Sequence, residues 1–471
     1  MITSSTNGAH ILVCPFPGPG HIIPLMDLTH QFLTRGLTVT VLVTPNNLPL
    51  LEPLLSTHPY SLHSLVLPFP DSSSPSLNSL IANLSAMREL HAPVIQWFKS
   101  HPSPPVAIVF DFFLGWTHQL ACELDLPLLM FSPSGAFAVS VLNSMWHEQP
   151  KNGDPVDENL MVSFPKVPNS PVYPWWQLSS VYRSFKEGDP DWEFYRNSAL
   201  GNMKSWGFVF NSFTELERVY LDHFKEEVGH DRVWAVGPLL PTHDDVVGST
   251  QRGGSSSVPS HEVLTWLDGR PDHSVVYVCF GSRVVLTRAQ MEVLAAALER
   301  SGVTFIWSVK VGKGGHVDND DGVTPDGFED RVEGRGFIVK GWAPQVAILR
   351  HKSVGAFVTH CGWNSVLEGL SAGVMMLTWP TGADQFTNAS LLVDQLGVGV
   401  RVGEGTQNVP NCDELTRLLA ESVGGTRPER ERAMELSGAA LSAVKGGSSE
   451  RDLEELVKRL NELKTGSSAT Q

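Results

Sequence analysis

Short unbroken apolar runs alternate along the chain with longer stretches in which apolar residues recur every three or four positions. In the first half the runs are HILVCPF (10–16), LTVTVLVT (37–44), SLVLPF (64–69), VAIVFDF (106–112) and LPLLMFS (126–132). Runs this short, rich in β-branched and aromatic residues, predict strands buried on both faces. The periodic segments 23–35 and 80–100 predict amphipathic helices between them. The pattern restarts with SVVYVCFG (274–281), VTFIWSVK (303–310), GFIVKGW (336–342), VGAFVTHCG (354–362) and VMMLTWP (374–380). Strand–helix alternation of this kind predicts parallel α/β sheets, and its restart predicts two doubly wound domains whose facing strand ends form a cleft.

The break between them falls at 241–260, where Gly, Ser, Pro and Asp replace any apolar periodicity and a linker is expected. The first domain is then 1–240 and the second 261–449. A charged amphipathic helix and a polar, frayed end occupy 450–471. An acidic cluster in 311–324 lacks the spacing of an EF-hand loop and reads as a solvated turn.

Composition narrows the function. A chain of 471 residues exceeds one ordinary core, and 42% hydrophobic with 18% charged residues is a folded, soluble balance. The net charge of −16 argues against nucleic acid or an anionic membrane as partner. An anionic ligand would have to be held locally, by helix dipoles and hydrogen bonds. The five cysteines, Cys14, Cys122, Cys279, Cys361 and Cys412, have no Cys-x-x-Cys spacing and predict reduced thiols. No metal role is assigned to Cys361 beside His360. The polar start MITSSTNGAH is not that of a signal peptide, and no apolar run reaches the ~18 residues of a membrane span. A cytoplasmic monomer is expected.

The chemistry concentrates in 342–385, WAPQVAILRHKSVGAFVTHCGWNSVLEGLSAGVMMLTWPTGADQ. An indole face suits a flat base, and a helix start flanked by His, Asn and Ser suits a phosphate. Carboxylates and carboxamides suit ribose and sugar hydroxyls. Together they read as a nucleotide-sugar site. The segment closely resembles the signature box of the plant family 1 glycosyltransferases, which use UDP-sugars, and the resemblance implies the GT-B fold of two Rossmann-like domains. It implies further that Trp342 stacks on uracil, with the Ala343 backbone and Gln345 beside the base or ribose. Glu368 takes the ribose hydroxyls; His360, Asn364 and Ser365 hold the diphosphate; Trp363, Asp384 and Gln385 line the hexose. Met375 departs from the pattern, standing where many members carry Pro.

In the first domain, His21 follows a Pro-Gly-Pro-Gly turn at a helix start, a placement suited to removing a hydroxyl proton. Asp111, ending the run VAIVFD, is the candidate partner that orients the imidazole. The resembled family pairs a His and an Asp at these positions as its catalytic dyad. It also implies that the last helix returns to the first domain, and that Ser282 in CFGS is a further phosphate contact. Ser134 stands near the place of a hydroxyl residue that touches the sugar in relatives, with Pro133 close to the usual Thr or Ser position. Phe16, Phe113 and Trp146 are candidate walls of an acceptor pocket for a flat phenolic ring, as are Trp116, Met145, Trp175 and Trp176.

The expected reaction is inverting transfer of glucose from UDP-glucose to a phenolic hydroxyl of flavonoid or hydroxybenzoate type, without a metal or other cofactor. UDP-xylose and UDP-rhamnose are the alternative donors. A dinucleotide oxidoreductase is disfavoured, because GPGH lacks the third glycine and the acidic ribose ligand. A non-catalytic UDP-sugar binder would be expected to lack the His or the Asp.

Overall fold

The chain folds around two all-parallel sheets, each covered by helices on both faces. The computed structural model describes residues 8–68, 77–153, 157–241, 258–310 and 321–467. Most of each loop expected at 241–260 and 311–324 lies outside them, with only 241, 258–260 and 321–324 described.

The first sheet contains β1 (His10–Cys14), β2 (Thr38–Val43), β3 (Leu62–Val66), β4 (Ala107–Asp111) and β5 (Leu128–Ser132). After a small antiparallel pair, β6 (Met161–Ser163) and β7 (Val172–Pro174), it is completed by β8 (Gly207–Phe210) and β9 (Val233–Ala235). The strand order is β3-β2-β1-β4-β5-β8-β9. Ile11 lies opposite Val39 on one side and Ala107 on the other. The chain reverses its winding direction between β1 and β4, so the loops after these two strands diverge and leave a crevice at their carboxyl ends.

The second sheet contains β10 (Val275–Cys279), β11 (Thr304–Val309), β12 (Gly336–Lys340), β13 (Val354–Thr359), β14 (Met375–Thr378) and β15 (Gly399–Arg401). Its order is β12-β11-β10-β13-β14-β15, with the same reversal between β10 and β13. Alternate residues of β10 point to opposite faces: Val276 and Val278 enter one apolar cluster, Val275 and Tyr277 the other. That two-sided burial is why these strands are continuous apolar runs in the sequence.

Met1–Leu240 and Ser442–Gln471 form one compact unit, and Pro241–Leu441 forms the other. The chain re-enters the first unit inside the helix Pro428–Val444. The following helix, Ser448–Ser467, places Leu453, Leu456, Val457 and Leu460 in one cluster with Ala9, Val39 and Trp234. Polar contacts fix its register: Ala9 N–H donates to Asn461 Oδ1 at 2.8 Å and Ala235 N–H to Asp452 Oδ2 at 2.8 Å.

Two local readings change. The helix expected over 80–100 is three pieces, Leu77–Ala86, a 3₁₀ turn Met87–Leu90, and His91–Ser100. Pro93 lacks the N–H and its ring would strike the Glu89 carbonyl of a continuous helix. The strands β8, β9 and β15 are three or four residues long, too short to show a periodicity of their own.

Candidate functional site

The crevice of the first sheet holds a histidine and a carboxylate. The helix Pro19–Thr34 starts five residues after the end of β1, with Pro19 at its first position, where a missing N–H costs nothing. His21 N–H donates to Gly18 O at 2.9 Å, which pins His21 in the first turn. Asp111, the last residue of β4, is fully buried and accepts from His21 Nδ1 at 2.8 Å; its other oxygen accepts from Phe113 N–H at 3.0 Å. A carboxylate only accepts, so the ring donates from Nδ1 and presents Nε2 as its basic nitrogen.

Aromatic rings enclose this pair. Phe113 stacks on His21 at 4.7 Å between centroids, and Phe16 stands edge-on to both rings at 5.1 and 5.3 Å. Trp146 lies further out and is buried; it packs edge-on against Tyr195, which in turn lies 6.3 Å from Phe113. Its indole is therefore part of the supporting wall; Trp116 and Met145 are buried as well. Trp175 and Trp176 form a partly buried 3₁₀ turn, Trp175 lying 6.1 Å from Tyr182.

Ser134 sits in the loop after β5, its backbone O accepting from Ser132 Oγ at 2.7 Å. That loop leads into the helix Ala136–Glu148, whose N-cap Gly135 has no side chain to offer. The buried Glu217 does the capping, accepting from Ala136 N–H at 3.0 Å, Phe137 N–H at 2.9 Å and Ser212 Oγ at 2.5 Å. Burial raises its pKa, and these hydrogen bonds oppose the rise.

In the second unit, β13 ends at Thr359 and the helix Trp363–Ser371 begins four residues later. Its N-cap is Gly362, without a side-chain cap, so the positive end of the helix dipole is dressed only by backbone. His360 lies in this turn with a glycine backbone on two sides. A Cβ on Gly281 would stand 2.6 Å from His360 Cε1 and Nε2, and one on Gly362 2.5 Å from Nε2. Burial, and secondarily the Lys310 ammonium, lower the His360 pKa to about 4. Its Nδ1 is buried and has no hydrogen-bond partner among the described residues. Ser282 follows Gly281 and is exposed.

Gln345 is the hub of a second cluster. Its Nε2 donates to Glu368 Oε2 at 2.6 Å and Ser365 Oγ at 3.0 Å, and its Oε1 accepts from Tyr277 Oη at 3.1 Å. Ser365 accepts there and keeps its own hydrogen to donate. Trp342 is partly buried just beyond β12, and Ala343 O accepts from Gln345 N–H at 2.8 Å. Trp363 is only 3% exposed, so near the helix start it offers an incoming group its backbone rather than its indole.

Asp384 and Gln385 begin the helix Gln385–Ser390. Gln385 Oε1 accepts from Thr381 N–H and Thr381 Oγ1, each at 2.9 Å, and from Gly382 N–H at 3.1 Å. Backbone N–H groups only donate, so the amide oxygen is fixed inward and the NH₂ is what Gln385 can extend to a ligand. The buried Asn388 donates to Cys361 O at 2.9 Å and Asp384 Oδ2 at 3.1 Å. It thereby ties together two turns that contain left-handed non-glycine residues, Cys361 (φ 64°) and Ala383 (φ 54°). Tyr277, Asn388 and Glu217 escape a reading of the sequence, since each has at least one partner distant along the chain.

Comparison with known proteins decides the family. A family model described as UDP-glucoronosyl and UDP-glucosyl transferase matches residues 234–419. UDP-glycosyltransferase 89B2 of Stevia rebaudiana is 53% identical over 98% of this chain and 99% of its own length. The chain belongs to the plant family 1 UDP-glycosyltransferases. Flavonol 3-O-glucosyltransferase UGT89B1 of Arabidopsis thaliana is 52% identical to this glycosyltransferase over 96% of each chain. A solved structure of Arabidopsis thaliana UGT89C1 complexed with UDP-L-rhamnose superposes with TM-score 0.78 at 39% identity, covering 96% of this chain and 99% of that one. The two doubly wound sheets of this glycosyltransferase are those of the GT-B fold. Among the described residues no helix is long and apolar enough to cross a membrane.

Proposed function

We propose that this glycosyltransferase moves glucose from UDP-glucose to a hydroxyl of a flavonoid or hydroxybenzoate phenol, with inversion, giving a β-O-glucoside. The observation that carries the reading is the 2.8 Å contact between His21 Nδ1 and the buried Asp111 carboxylate. In the proposed reaction His21 Nε2 takes the phenolic proton and Asp111 stabilises the imidazolium. The phenolate oxygen bonds to the anomeric carbon as the carbon–oxygen bond to UDP breaks on the opposite face. The departing diphosphate takes its charge stabilisation from the helix start at Trp363, with His360, Asn364 and Ser365, and no metal takes part. Trp342 holds the uracil, the Ala343 backbone and Gln345 lie beside the base or ribose, and Glu368, oriented by Gln345, holds the ribose. Ser282 is assigned a further diphosphate contact.

Glucose is favoured because Asp384 accepts and the Gln385 NH₂ donates, a pairing that equatorial hydroxyls satisfy. The acceptor is assigned to the aromatic walls around His21, Phe16 and Phe113 first, with Ser134 nearby, Trp146 behind, and the flavonol 3-O-glucosyltransferase relative in support. UDP-L-rhamnose is the second donor reading, favoured by its presence in the solved UGT89C1 complex and by a 40% identical flavonol 7-O-rhamnosyltransferase of Arabidopsis thaliana. UDP-xylose, glucose without the hydroxymethyl arm, is the third. A cytosolic location and a monomeric state belong to the same reading; five cysteines without a disulfide support the first.

The test incubates flavonols and hydroxybenzoates with UDP-glucose, UDP-xylose and UDP-rhamnose and reads products by mass spectrometry, with His21→Ala in parallel. A hexose gain that disappears in the variant supports the assignment. A deoxyhexose gain replaces glucose by rhamnose, and product that survives His21→Ala removes His21 as base.

A further inference from the structure

An anion in the crevice of the second sheet would meet more than the helix start and His360. The register places Cys279 opposite Ser308 on β11 and opposite Thr359 on β13. The residues that follow these partners, Gly281, Lys310 and His360, therefore leave adjacent strands at one carboxyl edge. Gly341 N–H donates to Val309 O at 2.7 Å, which holds the backbone beside Lys310 at that edge. Gly281 takes φ 70°, lies against the His360 ring, and turns the chain into Ser282 and Arg283.

Two cations are thus collected where the net charge of the whole chain is −16. Among the described residues neither Lys310 nor Arg283 forms an ion pair, whereas Arg401, Arg417 and Arg427 are all paired with carboxylates. Lys310 and Arg283 are both exposed at that edge, and the Lys310 pKa is lowered, first by partial loss of solvent around its ammonium and then by the neighbouring Arg283 charge. Two like charges near one another repel, and an anion arriving between them relieves that repulsion.

We infer that Lys310, assisted by Arg283, is a positioning residue for the donor diphosphate and supplies the positive charge that offsets the departing UDP. His360, neutral above about pH 4, then contributes an imidazole contact rather than charge. The division is chemically useful: an ammonium follows the growing negative charge on the β-phosphate oxygens, while the imidazole and the helix start fix their direction. The inference rests on the donor-site reading above.

Calorimetric titration of the full chain with UDP and with uridine tests it. Lys310→Met is expected to weaken UDP about tenfold while leaving uridine within about twofold, because only UDP carries the phosphates. Lys310→Arg should restore most of the UDP affinity, and Arg283→Gln should show a smaller loss of the same kind. With UDP-sugar in turnover, Lys310→Met should lower kcat as well as raise KM, since the charge grows as the bond breaks. Unchanged UDP affinity in Lys310→Met overturns the inference, and so does an equal loss for UDP and uridine, which marks a structural role. Wild-type protein that binds neither compound overturns the donor-site reading and this inference with it.

Discussion

Substituting Gly281 by alanine tests how His360 is held. The new Cβ would lie 2.6 Å from Cε1 and Nε2 of the imidazole and 3.4 Å from Nδ1. Ordinary carbon contacts begin near 3.4 Å, so the ring must withdraw by about 1 Å. It cannot simply slide away, because on another side Nε2 lies against Gly362, where a Cβ would stand 2.5 Å distant. Alanine at φ 70° adds a left-handed penalty of about 1 kcal/mol, and overpacking a filled site adds roughly 1–3 kcal/mol. A total of about 2–4 kcal/mol would lower the melting of a domain of this size by roughly 4–16 °C. UDP affinity should fall as well, because the displaced ring carries its nitrogens out of position. Gly438→Ala is the control of opposite sign: a Cβ there has open space inside the helix Pro428–Val444, so it should stabilise by about 0.5–1 kcal/mol. Differential scanning fluorimetry and UDP titration of the two variants are sufficient. A Gly281→Ala protein that melts within about 1 °C of wild type and binds UDP equally would refute the reasoning.

Asp111→Asn should keep the fold but turn an amide donor toward His21 Nδ1, driving the ring to the tautomer with a protonated Nε2. A loss of about 10³–10⁴ in kcat with little change in acceptor KM is expected, and activity within tenfold of wild type would argue against the dyad. Stability should fall in mild acid. His10, His118 and His360 each have a folded-state pKa lowered from 6.5 to about 4, chiefly by burial. The unfolded chain therefore binds more protons between those values, and stability present above pH 6.5 is lost as the pH falls toward 4. Glu217, Glu227 and Asp452, raised by burial, act in the opposite direction. A melting midpoint that declines from pH 6.5 to 4.5 shows the histidines prevailing; a flat or rising midpoint would show the carboxylates prevailing.

The central strands were legible because burial on both faces writes an unbroken apolar run into the sequence, as in VVYVC and VGAFVT, whereas the edge strands β3 and β12 are mostly exposed or partly buried. His21 and Asp111 were legible for a related reason: each is a polar residue at or just beyond the end of an apolar strand, at the edge where parallel sheets collect their ligands. Other features left no such trace. Nothing near Glu217 in the sequence indicates that it caps a helix beginning at Ala136, and nothing near Tyr277 indicates that its hydroxyl meets Gln345. Side chains with two faces to offer were the hardest. Gln385 stands beside Asp384 in the signature segment, yet its oxygen is committed to the turn at Thr381 and only the NH₂ remains. Trp146 and Trp363 look alike as exposed or buried aromatics until packing assigns them to the interior.

The return of the chain to its first unit at Ser442 sets the order in which the protein can be completed during synthesis. Pro241–Leu441 is contiguous and emerges from the ribosome with its whole sheet in hand. The first unit, although translated earlier, waits through all of that for Leu453, Leu456, Val457 and Leu460 to cover Ala9, Val39 and Trp234. Until they arrive its apolar surface is open and the Ala9 and Ala235 amides lack their acceptors on the last helix. The helix that completes the first unit is thus made only after the whole of the second.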